Sequence, residues 1–148
     1  MKKNSAYIIT ILMLLVVFLG FKVIATETNN SDTQRLNDQA FRYQLGKVLG
    51  SFSMEVNDYT YREMIASVYS VASMSELTSY EDINDNLDIS LHNLYISLRE
   101  EKSKDLVLSR IDELRNVFNT MVQDPSNQKA TEKLIQIANE TYFENPIE

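Results

Sequence analysis

The chain has 148 residues, no cysteine, three glycines, two prolines and a formal net charge of −7. The absence of cysteine excludes disulfides, thiolate nucleophiles, cysteine zinc sites and lipid attachment through a cysteine. Three of the 14 basic residues precede residue 26, so the remainder carries 11 basic and 21 acidic side chains, and its net charge of −10 argues against a nucleic-acid partner.

The first predicted element is an apolar helix over residues 6–25, in which Lys22 is the single charged side chain. Twenty residues extend about 30 Å as an α-helix, which matches the hydrocarbon thickness of a bilayer. Lys2 and Lys3 lie before this segment and acidic residues follow it, a pattern that predicts an N-terminus inside the cell and the bulk of the chain outside. We therefore predict that residues 1–25 are a membrane anchor or uncleaved signal segment, with residues 6–25 in the lipid bilayer.

The same segment also has the features of a cleaved signal peptide. Its uncharged part is only slightly longer than the apolar region of such peptides, Gly20 can end the helix, and Val23-Ile24-Ala25 resembles a cleavage site. Cleavage after Ala25 would give a secreted protein. Both alternatives place the rest of the chain on the outer side of the membrane.

A polar linker over residues 26–32 and an extracytoplasmic α-helical domain over residues 33–148 are predicted to follow. So few glycines and prolines favour helices over β-turns throughout this domain. Its first helix is expected to be capped within residues 31–33 and to bury one apolar stripe. That stripe consists of Phe41, Leu45, Val48, Leu49, Phe52 and Val56.

Two further helices are predicted to begin at sequences that have the form of a capping box. The first box is Thr60-Tyr61-Arg62-Glu63, and its helix carries the apolar residues Tyr61, Met64, Ile65, Val68, Val71 and Ala72. The second box is Thr78-Ser79-Tyr80-Glu81, and its helix carries the apolar residues Ile83, Leu87, Leu91, Leu94 and Leu98.

The next apolar set is out of phase with the third helix by about 150°, so one straight helix cannot bury both. We therefore predict a turn at residues 101–104, with Ser103 as the next cap, before Val107, Leu108, Ile111, Leu114, Phe118 and Met121. Asp124-Pro125 is predicted to start a fifth helix, with the apolar face Ala130, Leu134, Ile137, Ala138 and Thr141. Five amphipathic helices with short connections predict an antiparallel bundle.

The sequence offers few candidates for catalysis or metal binding. His92 is the single histidine, which removes the common zinc and triad arrangements, and we expect it on a polar helix face. Residues 82–88 resemble the start of a calcium loop, but Leu87 replaces the glycine that the turn requires. Adjacent acids such as Asp112 and Glu113 diverge on a helix and form no acid–base pair. We predict no catalytic residue, metal ligand or cofactor.

Three residues are candidates for an interaction surface. Gly46 and Gly50 have the spacing that allows a helix to approach closely. Ordinary packing inside the domain is the favoured interpretation of this pair. The alternatives are a partner interface and no role beyond softening the helix. Tyr59 either contacts a partner or flanks the cap of the second helix.

These observations favour a non-enzymatic, membrane-tethered interaction module that binds another protein at the cell surface. A tether would raise its effective concentration near a membrane partner. The alternatives are a sensor-like bundle that binds a small ligand between its helices, a protein secreted after cleavage, and a hydrolase that uses paired acids.

Overall fold

The computed structural model describes the backbone of residues 2–143, with side chains at Met13, Leu15 and Val16 and from residue 30 to residue 143. All regular elements in these residues are helical, which confirms the all-α part of the predicted fold class. Residues 2–143 contain six α-helices: α1 Lys2–Phe52, α2 Asp58–Ser75, α3 Leu87–Arg99, α4 Lys104–Ser109, α5 Ile111–Gln123 and α6 Gln128–Ala138. A 3₁₀ turn, Glu101–Ser103, precedes α4, and a π-turn, Asn139–Phe143, follows α6.

The chain forms two compact units, Met1–Gln34 and Arg35–Glu148. Helix α1 continues without a break through residues 26–32, which were predicted to be a polar linker. It also continues through residues 31–33, where the cap of a new helix was predicted. Ser31 and Asp32 are therefore internal to a helix instead of starting one. The domain limits 1–25, 26–32 and 33–148 stay predictions.

The predicted anchor, residues 6–25, lies largely outside the described side chains. Within the part of the chain that the structure describes, no helix meets the length and apolarity that crossing a bilayer requires. The assignment of this segment to a membrane anchor, or to a signal peptide cleaved after Ala25, stays a prediction.

The predicted apolar stripe of α1 is buried over its main part. Phe41, Leu45, Val48 and Phe52 have 0% exposure. Val56 is the exception, because α1 ends at Phe52 and the following turn points it to solvent. The carbonyl of Phe52 accepts hydrogen bonds from the Arg115 guanidinium on α5 at 3.0 and 3.3 Å, which satisfies an otherwise unpaired helix-end carbonyl.

Helix α2 begins one turn earlier than predicted, because its capping box is Asn57 with Thr60 and not Thr60 with Glu63. The Asn57 side-chain oxygen accepts the Thr60 N–H at 3.0 Å, and the Thr60 hydroxyl oxygen accepts the Asn57 N–H at 2.9 Å. Asparagine favours this position because its short side chain reaches the free N–H groups of the first turn.

Helix α3 begins at Leu87 instead of near Ser79, and Ile83, which was predicted to be buried, is 62% exposed. Residues 80–86 form hydrogen-bonded turns, as Asn and Asp side chains compete with helix formation. Four of the five predicted core residues are confirmed, namely Leu87, Leu91, Leu94 and Leu98.

The predicted turn at residues 101–104 is confirmed, but Ser103 does not cap α4 with its side chain. Its hydroxyl donates backwards to the Ser97 carbonyl at 2.6 Å. A second break at Arg110 divides the helix that was predicted to run from Val107 into α4 and α5.

The start of the last helix was predicted wrongly. Helix α6 starts at Gln128 with Asn127 as its N-cap, whose side chain accepts the Ala130 N–H at 3.1 Å. Asp124 instead holds a turn, since its carboxylate accepts the Ser126 N–H at 3.2 Å. The predicted apolar face of this helix is confirmed as buried.

Helix α3 is central to the domain and packs against α2 and α6. Tyr61 at the start of α2 donates to the Leu98 carbonyl at the end of α3, so these two helices are antiparallel. Helices α3 and α6 are parallel, since Asn84 contacts Thr131 near both starts and Ser97 contacts the carbonyl of Ala138 near both ends. The bundle is therefore mixed instead of wholly antiparallel, because α4 and α5 intervene between α3 and α6.

Candidate functional site

A surface groove of about 540 Å³ lies between the C-terminal part of α1 and helix α2. Most of its lining side chains are small or polar: Gln44, Lys47, Gly50, Ser51, Met54, Glu63, Ala66, Ser67 and Ser70. The two helices are antiparallel here, since the hydroxyls of Ser51 and Ser67 meet at 3.1 Å while Asn37 contacts the Leu77 carbonyl further along.

Small side chains on both helices line part of this groove. Gly50 lies on α1, and Ala66 and Ser70 lie one turn apart on α2. The Ser67 hydroxyl donates to the Met64 carbonyl at 3.0 Å within its own helix, so part of its polarity is already satisfied. A second chain can therefore approach the helix backbones closely without displacing a large side chain.

Gly46 and Gly50 are both exposed on α1, and a Cβ atom added at either position would meet nothing within 4 Å. The favoured interpretation, in which the pair allows close packing inside the domain, is therefore wrong. Their α1 face instead borders the groove, with Gly50 in its lining and Gly46 one turn earlier. Their role in an interaction surface stays a prediction.

The groove has a positive side and a negative side. Lys47 on α1 places its ammonium group 4.8 Å from the ring centre of Tyr43, a cation–π geometry. Glu63 on α2 accepts a hydrogen bond from the Tyr59 hydroxyl, and this bond and the carboxylate charge raise the pKa of Tyr59. Tyr59 is thus a neighbour of Glu63, which lines the groove.

Large apolar or aromatic side chains around the groove are open to solvent. Tyr59 is 69% exposed, Tyr43 66% and Met54 47%. Tyrosine and methionine are enriched in protein interfaces relative to the remaining surface. The groove therefore combines small lining residues with exposed side chains of the type that contact protein partners.

Of the three predicted interaction residues, Gly50 lines the groove, Gly46 lies one turn earlier on α1, and Tyr59 neighbours the lining residue Glu63. Sequence reasoning missed Met54, Ala66 and Ser70, which complete the groove. One signal was present for the α2 residues: Ala66, Ser70 and Ser73 repeat at helical spacing on the side away from the core stripe.

The other sequence candidates are placed elsewhere. His92 is half-buried on α3, and its Nδ1 atom lies 3.2 Å from the backbone carbonyl oxygen of Asp88. In the calcium-like stretch Leu87 is a core residue, and the described residues contain no group of three or more side chains suited to a metal ion.

The adjacent acids Asp112 and Glu113 on α5 form separate ion pairs. Asp112 accepts from Arg115 at 2.7 Å, whereas Glu113 contacts Arg110 and, at 2.9 Å, Lys133 on α6. These hydrogen bonds lower the pKa of Glu113 to about 2. The two carboxylates are thus held by different cations on different sides of the helix.

Comparison of the chain with protein-family models, with curated proteins and with solved structures found no match in any of the three.

Proposed function

We propose that this chain is a non-enzymatic, membrane-tethered interaction module whose α1–α2 groove binds a helical segment of another protein at the outer face of the cell membrane. The observation that carries the proposal is the groove itself, about 540 Å³ in volume and open along two antiparallel helices. A third helix laid between two others packs at about 8–10 Å from each axis, and small residues at the contact favour the shorter distances.

The side chains around the groove support a protein partner over a small ligand. Exposed Tyr43, Tyr59 and Met54 provide contact area, and tyrosine loses little conformational entropy when it is fixed. The interior of the domain is filled instead by apolar side chains at 0% exposure, among them Phe41, Leu91 and Phe118. This filling disfavours the alternative of a sensor-like ligand site between the helices.

The proposed tether is the apolar segment 6–25, with the N-terminus inside the cell and the domain outside. Its support is the length of the segment and the position of Lys2, Lys3 and Lys22. Because a tethered module meets membrane partners at high effective concentration, a groove of modest intrinsic affinity is sufficient. Cleavage after Ala25 would instead require a soluble partner.

Site-specific photo-cross-linking in the native host tests this proposal. A photoreactive phenylalanine analogue at Ala66 replaces an exposed groove residue, and the same analogue at Asn119, exposed on α5, is the matched control. We expect a discrete adduct with one protein from position 66 and none from position 119. Equal adducts from both positions, or none from position 66, would overturn the proposal.

A further inference from the structure

The connection between α2 and α3, residues 76–86, is joined to α1 through side-chain hydrogen bonds. The Asp38 carboxylate on α1 accepts the N–H and the hydroxyl of Ser79, at 2.8 and 2.6 Å. Arg42, one turn later, donates to the Tyr80 hydroxyl at 2.6 Å. The position of this connection on α1 thus depends on contacts just before Glu81.

The next residue, Glu81, joins the same connection to α3. Its Oε2 atom accepts the backbone N–H of Asp88 at 3.1 Å. Asn86, at the N-cap of α3, makes no side-chain hydrogen bond to the helix. Glu81 therefore provides an acceptor that the first turn of α3 does not obtain from its own cap.

This contact brings carboxyl groups together. Burial raises the pKa of Glu81, and the charge and side-chain hydrogen bond of Asp88 raise it further, as does the charge of Asp85. The N–H of Asp88 acts in the opposite direction, and the resulting pKa is about 7. Glu81 thus holds a proton over a pH range in which an ordinary carboxyl group has lost it.

The charged groups on the neighbouring helices are committed to other contacts or lie in an adjoining cleft. On α1, Asp38 is bound by Ser79 and Arg42 by Tyr80. On α6, Glu132 contributes another carboxyl group to the polar cleft that Asp85 lines. Asp38, Arg42 and Glu132 are not among the groups that shift the pKa of Glu81.

We propose that Glu81 is a pH-sensitive switch in the α2–α3 connection. Its protonation state controls the stability of two contacts of this connection, one with the first turn of α3 and one with α1. While Glu81 is protonated, repulsion among the three carboxyl groups is reduced, and the contact of Glu81 with the Asp88 N–H is kept. When the proton leaves, Glu81, Asp88 and Asp85 carry like charges at one place, and the connection loosens.

The direction follows from linkage. Because the folded-state pKa of Glu81 is raised above its ordinary value of 4.5, the native protein binds more protons than the unfolded chain between these two values. The contribution of Glu81 to stability is therefore complete below the unfolded pKa, and it is lost as the pH rises through about 7.

Native-state hydrogen exchange of the full chain in mild detergent tests the proposal, with rates corrected for the intrinsic pH dependence of exchange. Between about pH 5.5 and about pH 8 we expect the protection of the Asp88 and Ile89 amides to fall by on the order of tenfold, while amides in the middle of α5 change little. The variant Glu81→Gln keeps an acceptor oxygen but cannot ionise, so its protection should not vary with pH. Glu76→Gln, an exposed residue of the same connection, should retain the wild-type behaviour.

Two results would overturn the proposal: wild-type protection at Asp88 that does not vary with pH, or unchanged pH dependence in Glu81→Gln. If that variant does not fold, carboxyl-carbon NMR of the wild-type chain decides the question directly. A Glu81 titration midpoint near 7 supports the switch, and a midpoint near the ordinary value contradicts it.

Discussion

Replacing Phe118 by alanine should destabilise the domain strongly, because this ring stacks on Phe52 at the end of α1. The ring centres are 5.5 Å apart with an angle of 13° between the planes, and both side chains have 0% exposure. Losing the burial of a phenylalanine costs about 1.5–3 kcal/mol, and losing the ring pair about 0.5–1.5 kcal/mol. With the unfilled space included, we predict a loss of about 4 kcal/mol, a large part of the 5–15 kcal/mol that is typical of a domain.

Urea unfolding of the full chain in mild detergent, followed by tyrosine fluorescence, measures this loss, since the chain has eight tyrosines and no tryptophan. Phe118→Leu keeps most of the apolar volume and should lose about 1–2 kcal/mol. Tyr43→Ala removes a ring that is 66% exposed, and its effect should stay within about 0.5 kcal/mol. If Phe118→Ala costs no more than Tyr43→Ala, the packing of α1 against α5 as described is wrong.

Three other changes probe single contacts. Tyr61→Phe removes the hydroxyl that donates to the buried Leu98 carbonyl. It should lower the free energy of unfolding in urea by about 1–3 kcal/mol, and a neutral effect would contradict that bond. Asn57→Ala removes the cap of α2 and should cost about 1 kcal/mol, which an unchanged urea midpoint would refute. Hydrogen bonds from Arg110 and Lys133 hold the pKa of Glu113 at about 2 instead of 4.5, so its stabilisation is present above the unfolded value and lost as the pH falls towards 2. Glu113→Gln should therefore flatten the acid side of a stability-against-pH curve, and an unaltered curve would argue against the ion pair.

The buried faces of the helices could be predicted from the sequence because burial on a helix repeats locally. Leu91, Leu94 and Leu98 are at the interior positions that their spacing indicates. The ends of the helices were harder, because several polar residues near each end are equally good caps. Asn57 and Asn127 cap α2 and α6, where Thr60 and Asp124 were predicted to do so.

The groove could be predicted only in part. The spacing of Gly46 and Gly50 marked one face of α1, but it did not indicate whether that face looks inward or outward. That depends on the register between α1 and α2, which the contact between Ser51 and Ser67 reflects. Ala66 joins Gly50 in one site only after the chain has folded, so no local pattern could connect them.

The most direct test of the proposed interaction site compares two substitutions of Gly50. A Cβ atom at this position meets nothing within 4 Å, and replacing a helical glycine by either alanine or leucine should stabilise the helix by up to about 1 kcal/mol. Gly50→Ala leaves the groove open, whereas Gly50→Leu places a large side chain in it. We predict that both variants fold at least as stably as wild type, and that only Gly50→Leu loses the cross-linked adduct from position 66. An undiminished adduct in a folded Gly50→Leu protein would contradict the groove as the binding site.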